Sequence, residues 1–180
     1  MVNSYTLKIF VEDPELKDVY FNHIEGHKKR ISEQGRYGDS GFDLLVPRFY
    51  SLETEQNPIR INMEVRCALF RTNSVEVDEP CGFYLYPRSS LYKFNLRLTN
   101  SVGIIDAGYR GPLAGVFDVV VNIPCGRTES DNSTPISKYS RLVQICSPDL
   151  RPIVDIRLVD TLDELEETTR GEGGFGSTGK

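Results

Sequence analysis

The point where a strand gives way to a turn is a place to hold one carboxylate rigidly at the edge of a pocket. Residues 101–111, Ser-Val-Gly-Ile-Ile-Asp-Ala-Gly-Tyr-Arg-Gly, place Asp106 in that position. Residues 102–105 read as an apolar strand, Ala107-Gly108 as a two-residue turn, and residues 113–121 as a returning strand, together a β-hairpin. The commoner role for an acid at such a place is to satisfy the turn's own backbone. A second stretch, Tyr86-Pro87-Arg88-Ser89-Ser90-Leu91, offers a forked cation, two hydroxyls and turn N–H groups, a set that grips phosphate oxygens. It reads equally as a strand-to-helix junction with Ser as the cap. A third, the glycine-rich segment 170–180, carries Arg170, Phe175, Ser177 and Thr178 among many free N–H groups. It suits an anion and a stacked base, or else a linker end. Its Gly174-to-Lys180 spacing matches G-x-x-x-x-G-K, but no strand leads in and no helix can follow. The helix N-terminus that binds phosphate in a P-loop is missing, and the match is spurious.

These groups need elements to hold them. Residues 5–11 read as a first strand. Pro14 opens a helix running from Glu15 to about Ser32, with Leu16, Val19, Tyr20 and Ile24 at helical spacing. His23 and His27 lie four apart on that helix. No Glu or third ligand accompanies them in metalloprotease fashion, so they read as part of a solvated helix rather than a metal site. Residues 35–41 form a polar loop. Short β-prone runs follow at 42–46, 59–65, 68–71, 82–86, 96–98, 102–105, 113–122, 142–147 and 153–158, punctuated by Pro, Gly, Asn and Asp. Many short strands with little helix point to a sandwich or barrel. Residues 126–137 read as an exposed loop and residues 160–167 as a turn of helix or an acidic strap. The glycine-rich tail buries too little apolar area to offset its ordering entropy and is expected to be mobile without ligand.

The 180 residues suit one domain with a hydrophobic core, residues 1–169, followed by the tail at 170–180. No apolar run reaches the roughly 20 residues of a membrane helix, and the N-terminus carries no charged-then-apolar signal. An intracellular, cytoplasmic protein without a membrane partner is the resulting expectation. A net charge of −5 argues against a general nucleic-acid binder. It leaves room for a small anionic ligand held by a local Arg cluster. Cys67, Cys81, Cys125 and Cys146 lie too far apart in sequence for a zinc-ligand pattern and read as structural thiols.

Five stretches in chain order together resemble the motifs of homotrimeric dUTP pyrophosphatases (dUTPases). They are Ser40-Gly41-Phe42-Asp43-Leu44, Pro87-Arg88-Ser89-Ser90-Leu91, residues 102–111, Arg141-Leu142-Val143-Gln144-Ile145 and residues 170–179. The resemblance implies a mostly all-β fold, a jelly-roll-like β-barrel with an added N-terminal helix at about 14–33 and a flexible C-terminal tail. It also implies a homotrimer whose active sites lie at subunit boundaries, each closed by a tail. The implied reaction is hydrolysis of dUTP to dUMP and pyrophosphate by water attack on the α-phosphorus, which keeps uracil out of DNA and supplies dUMP for thymidylate synthesis. Asp106 matches the acid that orients the water. Tyr109 matches the aromatic under the deoxyribose, and the backbone of Gly103, Ile104 and Ile105 the edge that pairs with uracil. Arg88, Ser89 and Ser90 correspond to phosphate contacts and Gln144 to a further polar contact. Arg170, Phe175, Gly176, Ser177 and Thr178 correspond to the tail residues that cap the γ-phosphate and stack on the base. Magnesium (Mg2+) is implied, bound through the triphosphate and waters, with Asp43 as the protein acid nearest that shell.

The chain departs from the family pattern at Ser90, where Gly is usual, and at Ala107-Gly108, where an acidic pair is common. Extra length between Asp43 and Pro87, in loop 126–137 and in the helix reads as surface insertion. Two other readings compete. A dCTP deaminase of the same fold needs a glutamate on the strand after the turn, where this chain has Val116. A non-catalytic nucleotide-binding module would have no use for a water-orienting acid.

Overall fold

The computed structural model describes residues 4–52, 57–72, 78–120 and 135–173. The first strand, β1 (Ser4–Val11), lies where expected and buries Tyr5, Leu7, Ile9 and Val11 together with Thr6. Helix α1 (Pro14–Gln34) starts where the sequence says it must. Asp13 caps it by accepting from Leu16 N–H at 2.7 Å, and Pro14 occupies the first turn, where a missing N–H costs nothing. At its end Gly35 takes φ 57° and donates its N–H to Ile31 O.

The remaining described strands are β2 (Gly41–Leu45), β3 (Ile59–Asn62), β4 (Val65–Thr72), β5 (Asp78–Cys81), β6 (Phe83–Pro87), β7 (Leu96–Leu98), β8 (Gly103–Ile105), β9 (Ala114–Val119), β10 (Arg141–Cys146) and β11 (Asp155–Val159). They form three sheets, ordered β11-β1-β4-β5, β2-β10-β6-β8 and β3-β9-β7. Every pairing is antiparallel except β1 with β11. Among the described residues the protein is thus mostly β with one α-helix, the class expected. A continuous core unites the sheets through Phe42, Leu44, Ile61, Met63, Leu85 and Phe117, all buried. A smaller cluster of Ala68, Phe70, Val159 and Leu165 anchors the short 3-10 turn Leu162–Leu165, whose capping box joins Thr161 and Glu164. The acidic strap is therefore a capped turn with a buried leucine.

Two expectations need correction. The run 59–65 is not one strand: Glu64 takes φ 56° and its N–H bonds Asn62 Oδ1 at 2.9 Å, which ends β3 and begins β4 on a new course. More consequentially, residues 102–105 and 113–121 do not form a hairpin. β8 pairs with β6, whereas β9 lies between β3 and β7 in another sheet. Pro112 brings no N–H to a ladder, and the backbone of Leu113 is already taken, donating to Val65 O and accepting from Met63 N–H, both at 2.9 Å. Residues 106–113 are thus a crossover between sheets that carries a tight turn. Strand β5, Asp-Glu-Pro-Cys, has no β signature and is an edge strand that tolerates Pro80. No helix among the described residues is long and apolar enough to cross a membrane.

Candidate active site

The crossover builds the first half of the site. Asp106 follows β8 directly, and its carbonyl accepts from Tyr109 N–H at 3.0 Å, closing a tight turn over Ala107-Gly108. β8 is the edge of its sheet, so the N–H and C=O groups on its outer side have no neighbouring strand. Beside it opens a cavity of about 310 Å³. Gly103, Ile104 and Ile105 form one wall, Leu85, Leu98 and Val116 the apolar floor, and Asp106, Tyr109 and Arg170 the polar rim. Ile104 is strongly exposed, a large apolar side chain facing into open space. Tyr109 donates its hydroxyl to Pro112 O at 3.1 Å, and its ring lies so close over Gly111 that a Cβ there would collide with it.

Arg110, which the sequence reading left unassigned, holds this turn. It is buried and donates to four carbonyls: Ala107 at 2.8 Å, Tyr109 at 2.9 Å, Leu165 at 2.7 Å and Glu166 at 3.0 Å. Its own N–H donates to Gly171 O at 2.8 Å, and Thr168 Oγ1 donates to Gly108 O. The root of the C-terminal segment is thereby docked on the turn, which brings Arg170 Nη1 to 2.7 Å from Asp106 Oδ2. Both side chains of that pair are about half exposed. Phe175, Gly176, Ser177 and Thr178 lie outside the described residues.

The second half of the site lies on β2, β6 and β10. Asp43 Oδ1 accepts from Arg88 Nε at 2.7 Å and Asp43 Oδ2 from Arg141 Nη1 at 3.2 Å. The carboxylate is only 12% exposed, so it is an internal clamp for two guanidiniums. Arg88 also donates to Ser90 Oγ at 3.5 Å. Ser90 stands before the short 3-10 helix Leu91–Phe94, yet its hydroxyl makes no cap bond there. The position is a strand-to-helix junction, as one reading expected, and its hydroxyl serves the arginine rather than a cap. Gln144 sits opposite Asp43 in the ladder, donates to Pro87 O at 3.4 Å, and presses on Gly41, where a Cβ would collide with it. Ser89, Gln144, Arg88 and Asp43 line one pocket.

That pocket and the cavity beside β8 share no lining residue. Leu85 lines one and its neighbour Tyr86 the other. Successive strand residues face opposite sides of a sheet, so the two halves open on opposite faces of β6. The structure brings together Asp106, Tyr109, Arg170 and β8 in one place, and Asp43, Arg88, Ser89 and Gln144 in another.

Among the described residues no group of three His, Cys, Asp or Glu side chains is placed to hold a metal ion. Asp43 is committed to two arginines and Asp106 to one, so this donor set does not fit a protein-held ion. His23 and His27 are not on a solvated face. His27 is buried and His23 partly so; His27 meets the Phe42 ring edge-on at 5.3 Å between centroids, and His23 lies tilted against it at 4.9 Å. Burial holds both below the usual imidazole pKa. Burial also pushes the Cys81 and Cys146 thiols up to about 11, which leaves them protonated and unreactive at neutral pH.

Comparison with known proteins matches residues 27–179 to the dUTPase family model. A deoxyuridine 5'-triphosphate nucleotidohydrolase of Clostridium tetani is 33% identical over 180 residues, covering 99% of this chain and 100% of that protein. The enzyme of the same name from Alkaliphilus metalliredigens is 30% identical over 152 residues, 83% of this chain and 90% of that one. Among solved structures, a mutant dUTPase of Staphylococcus bacteriophage 80alpha with dUpNHpp aligns over 79% of this chain and 87% of its own, at 22% identity and a TM-score of 0.44.

Proposed function

The chain belongs to the dUTPase family, and from that premise we propose that it hydrolyses dUTP to dUMP and pyrophosphate at a site shared between neighbouring chains. The observation that carries the shared site is the division of the matched residues between two faces of one sheet. In this reading a nucleotide lies between the nucleoside cavity of one copy and the phosphate pocket of the next. A closed ring of three such heterologous contacts gives every copy one complete site.

In this reading the free edge of β8 pairs with uracil through N–H and C=O groups, as a neighbouring strand would. The Tyr109 ring packs under the deoxyribose and leaves no space for a 2′-hydroxyl. Asp106 accepts a hydrogen bond from the water that attacks the α-phosphorus. Its turn is braced by Arg110, so the carboxylate arrives already aimed, and phosphoryl transfer depends chiefly on such positioning and on charge stabilisation. Arg88, Ser89, Ser90 and Gln144 hold phosphate oxygens. Arg170 is matched to the γ-phosphate, and its partner is Asp106. Binding of the triphosphate exchanges one anion for another and frees the carboxylate to engage water. Magnesium enters as part of the substrate, on the triphosphate, since the described residues offer it no cage of their own.

Val116 lines the nucleoside cavity where a deaminase would need a glutamate, which disfavours deamination of a cytosine base. The deciding experiment compares dUTP, dCTP, dTTP and UTP, each with magnesium, by pyrophosphate release and by ammonia release. Pyrophosphate from dUTP alone is the expected result. Ammonia from dCTP would select the deaminase, and binding without product would leave only a nucleotide-binding module.

A further inference from the structure

Helix α1 lies mostly outside the family match, which begins at residue 27, and wholly outside the five motifs. Its buried stripe is Leu16, Tyr20, Ile24, His27 and Ile31, with His23 beside it, and this stripe packs across Phe42 of β2. β2 is an edge strand, bonded to β10 on one side only. Its outward backbone groups at residues 43 and 45 would otherwise need water or another strand. The helix supplies the partners. Tyr20 Oη accepts from Leu45 N–H at 2.9 Å, and His23 Nε2 lies 2.9 Å from Asp43 O. A carbonyl brings no proton, so the His23 Nε2–H is the donor. Two side chains thus take the place of the missing strand at the two outward-facing positions that flank Leu44.

The ladder on the other side of β2 needs that help. Its register to β10 shifts between Arg141 and Gln144, directly opposite Asp43 and Leu45. Where a bulge interrupts pairing, the bulged strand bends and the ladder alone fixes its partner poorly. Asp43 is also the residue whose carboxylate holds Arg88, which lines the phosphate pocket, together with Arg141. A hydrogen bond to its carbonyl therefore bears on the position of the two guanidiniums its carboxylate holds.

We propose that His23, supported by Tyr20, is a positioning residue for the phosphate half of the site: it fixes Asp43 and, through Asp43, the aim of Arg88 and Arg141. This rests on the reading of that pocket as the triphosphate site. The helix is then part of the catalytic scaffold rather than a surface addition.

The test uses the full chain carrying His23→Phe, which keeps a ring against Phe42 and loses the donor, and His23→Gln, which restores an N–H. For His23→Phe, KM for dUTP should rise roughly five- to tenfold, the effect of losing one oriented hydrogen bond. Inhibition by deoxyuridine, which reaches only the nucleoside cavity, should be unchanged, and His23→Gln should recover most of the loss. Binding of inorganic pyrophosphate, followed by calorimetry, should weaken by the same factor. This readout does not depend on turnover, so it separates failure of the inference from failure of the hydrolase reading. Unchanged pyrophosphate affinity in His23→Phe would overturn the proposal, as would parallel losses for deoxyuridine and pyrophosphate, which would signal general loosening. Should His23→Phe fail to fold, Tyr20→Phe is judged by the same split between the two ligands.

Discussion

Two inactive variants should restore each other if the site is built between chains. Asp106→Asn removes the acid from the cavity beside β8, and Arg88→Ala removes the cation from the pocket on β2 and β6. Neither change endangers the fold. The Asp106–Arg170 pair is 50% and 42% exposed, so its loss costs at most about 1 kcal/mol. Removing Arg88 leaves Asp43 still paired with Arg141 at 3.2 Å. At this chain length 1 kcal/mol moves Tm by about 2–4 °C, so both variants should melt close to the native protein. Losing a water-orienting acid costs about 10²–10⁴-fold in rate. Losing one preorganised cationic donor costs about 10²–10³-fold. Consider a ring in which each site takes its nucleoside half from one chain and its phosphate half from the next. A site is intact when the first chain carries Arg88→Ala and the second Asp106→Asn. Equal amounts exchanged at random produce that order at about one quarter of the boundaries. Pyrophosphate release after co-refolding should therefore reach about a quarter of the native rate, at least tenfold above either parent. The unexchanged mixture, which should stay at parental rates, is the control. If native mass spectrometry shows mixed assemblies and the rate remains at the parental level, both halves serve one chain and the shared site is wrong.

Two further changes probe the cavity and the helix. Gly111→Ala drives a methyl group into the Tyr109 ring and should displace it from beneath the sugar. The ratio of kcat/KM for dUTP over UTP should then fall by about tenfold, the scale of one misplaced packing contact, and an unchanged ratio would remove Tyr109 from sugar selection. Burial is the main cause lowering the His27 pKa below its unfolded value of about 6.5, and His23 is lowered in the same way. The folded state therefore binds fewer protons than the unfolded one. Stability is complete above about pH 6.5 and is lost as pH falls toward the depressed folded values, by at most about 1.4 kcal/mol per pH unit for each histidine. Tm should decline between pH 7 and 5, and His27→Gln, whose amide can still donate to Ile153 O, should flatten that decline. An equally steep decline in the variant would assign it to other groups.

What the sequence revealed was whatever is written locally. The start of α1 follows from Pro14 at the first turn, and β1 from a loose alternation, so both are where the pattern put them. Asp106, Tyr109, Arg88 and Gln144 stood out because motif order survives without knowledge of pairing. Pairing itself was not legible. A Gly-containing turn between two apolar runs reads as a hairpin, and only the engagement of Leu113 with Met63 and Val65 sends β9 to another sheet. The split at Glu64 hides for a similar reason, since a left-handed residue inside an apolar run has no compositional mark. The histidines were legible in retrospect. Spacings of 4, 4, 3 and 4 from Leu16 through Tyr20, Ile24 and His27 to Ile31 put His27 on the buried stripe and His23 at its margin. Polarity argued for solvent where periodicity argued for the core, and periodicity was the better guide.

The same distinction explains the arginines. Arg88, Arg110, Arg141 and Arg170 look alike as letters, and each finds a different environment. Arg110 is surrounded by carbonyls and buried, so it braces backbone and cannot reach a ligand. Arg88 and Arg141 share one shielded carboxylate, which fixes their direction while leaving guanidinium N–H groups for an incoming anion. Arg170 has only a half-exposed partner, in an ion pair of the kind that contributes least to stability and is most easily exchanged. Of the four, Arg170 is therefore the one whose partner a triphosphate can replace at least cost. That partner is Asp106, the acid proposed to orient the attacking water.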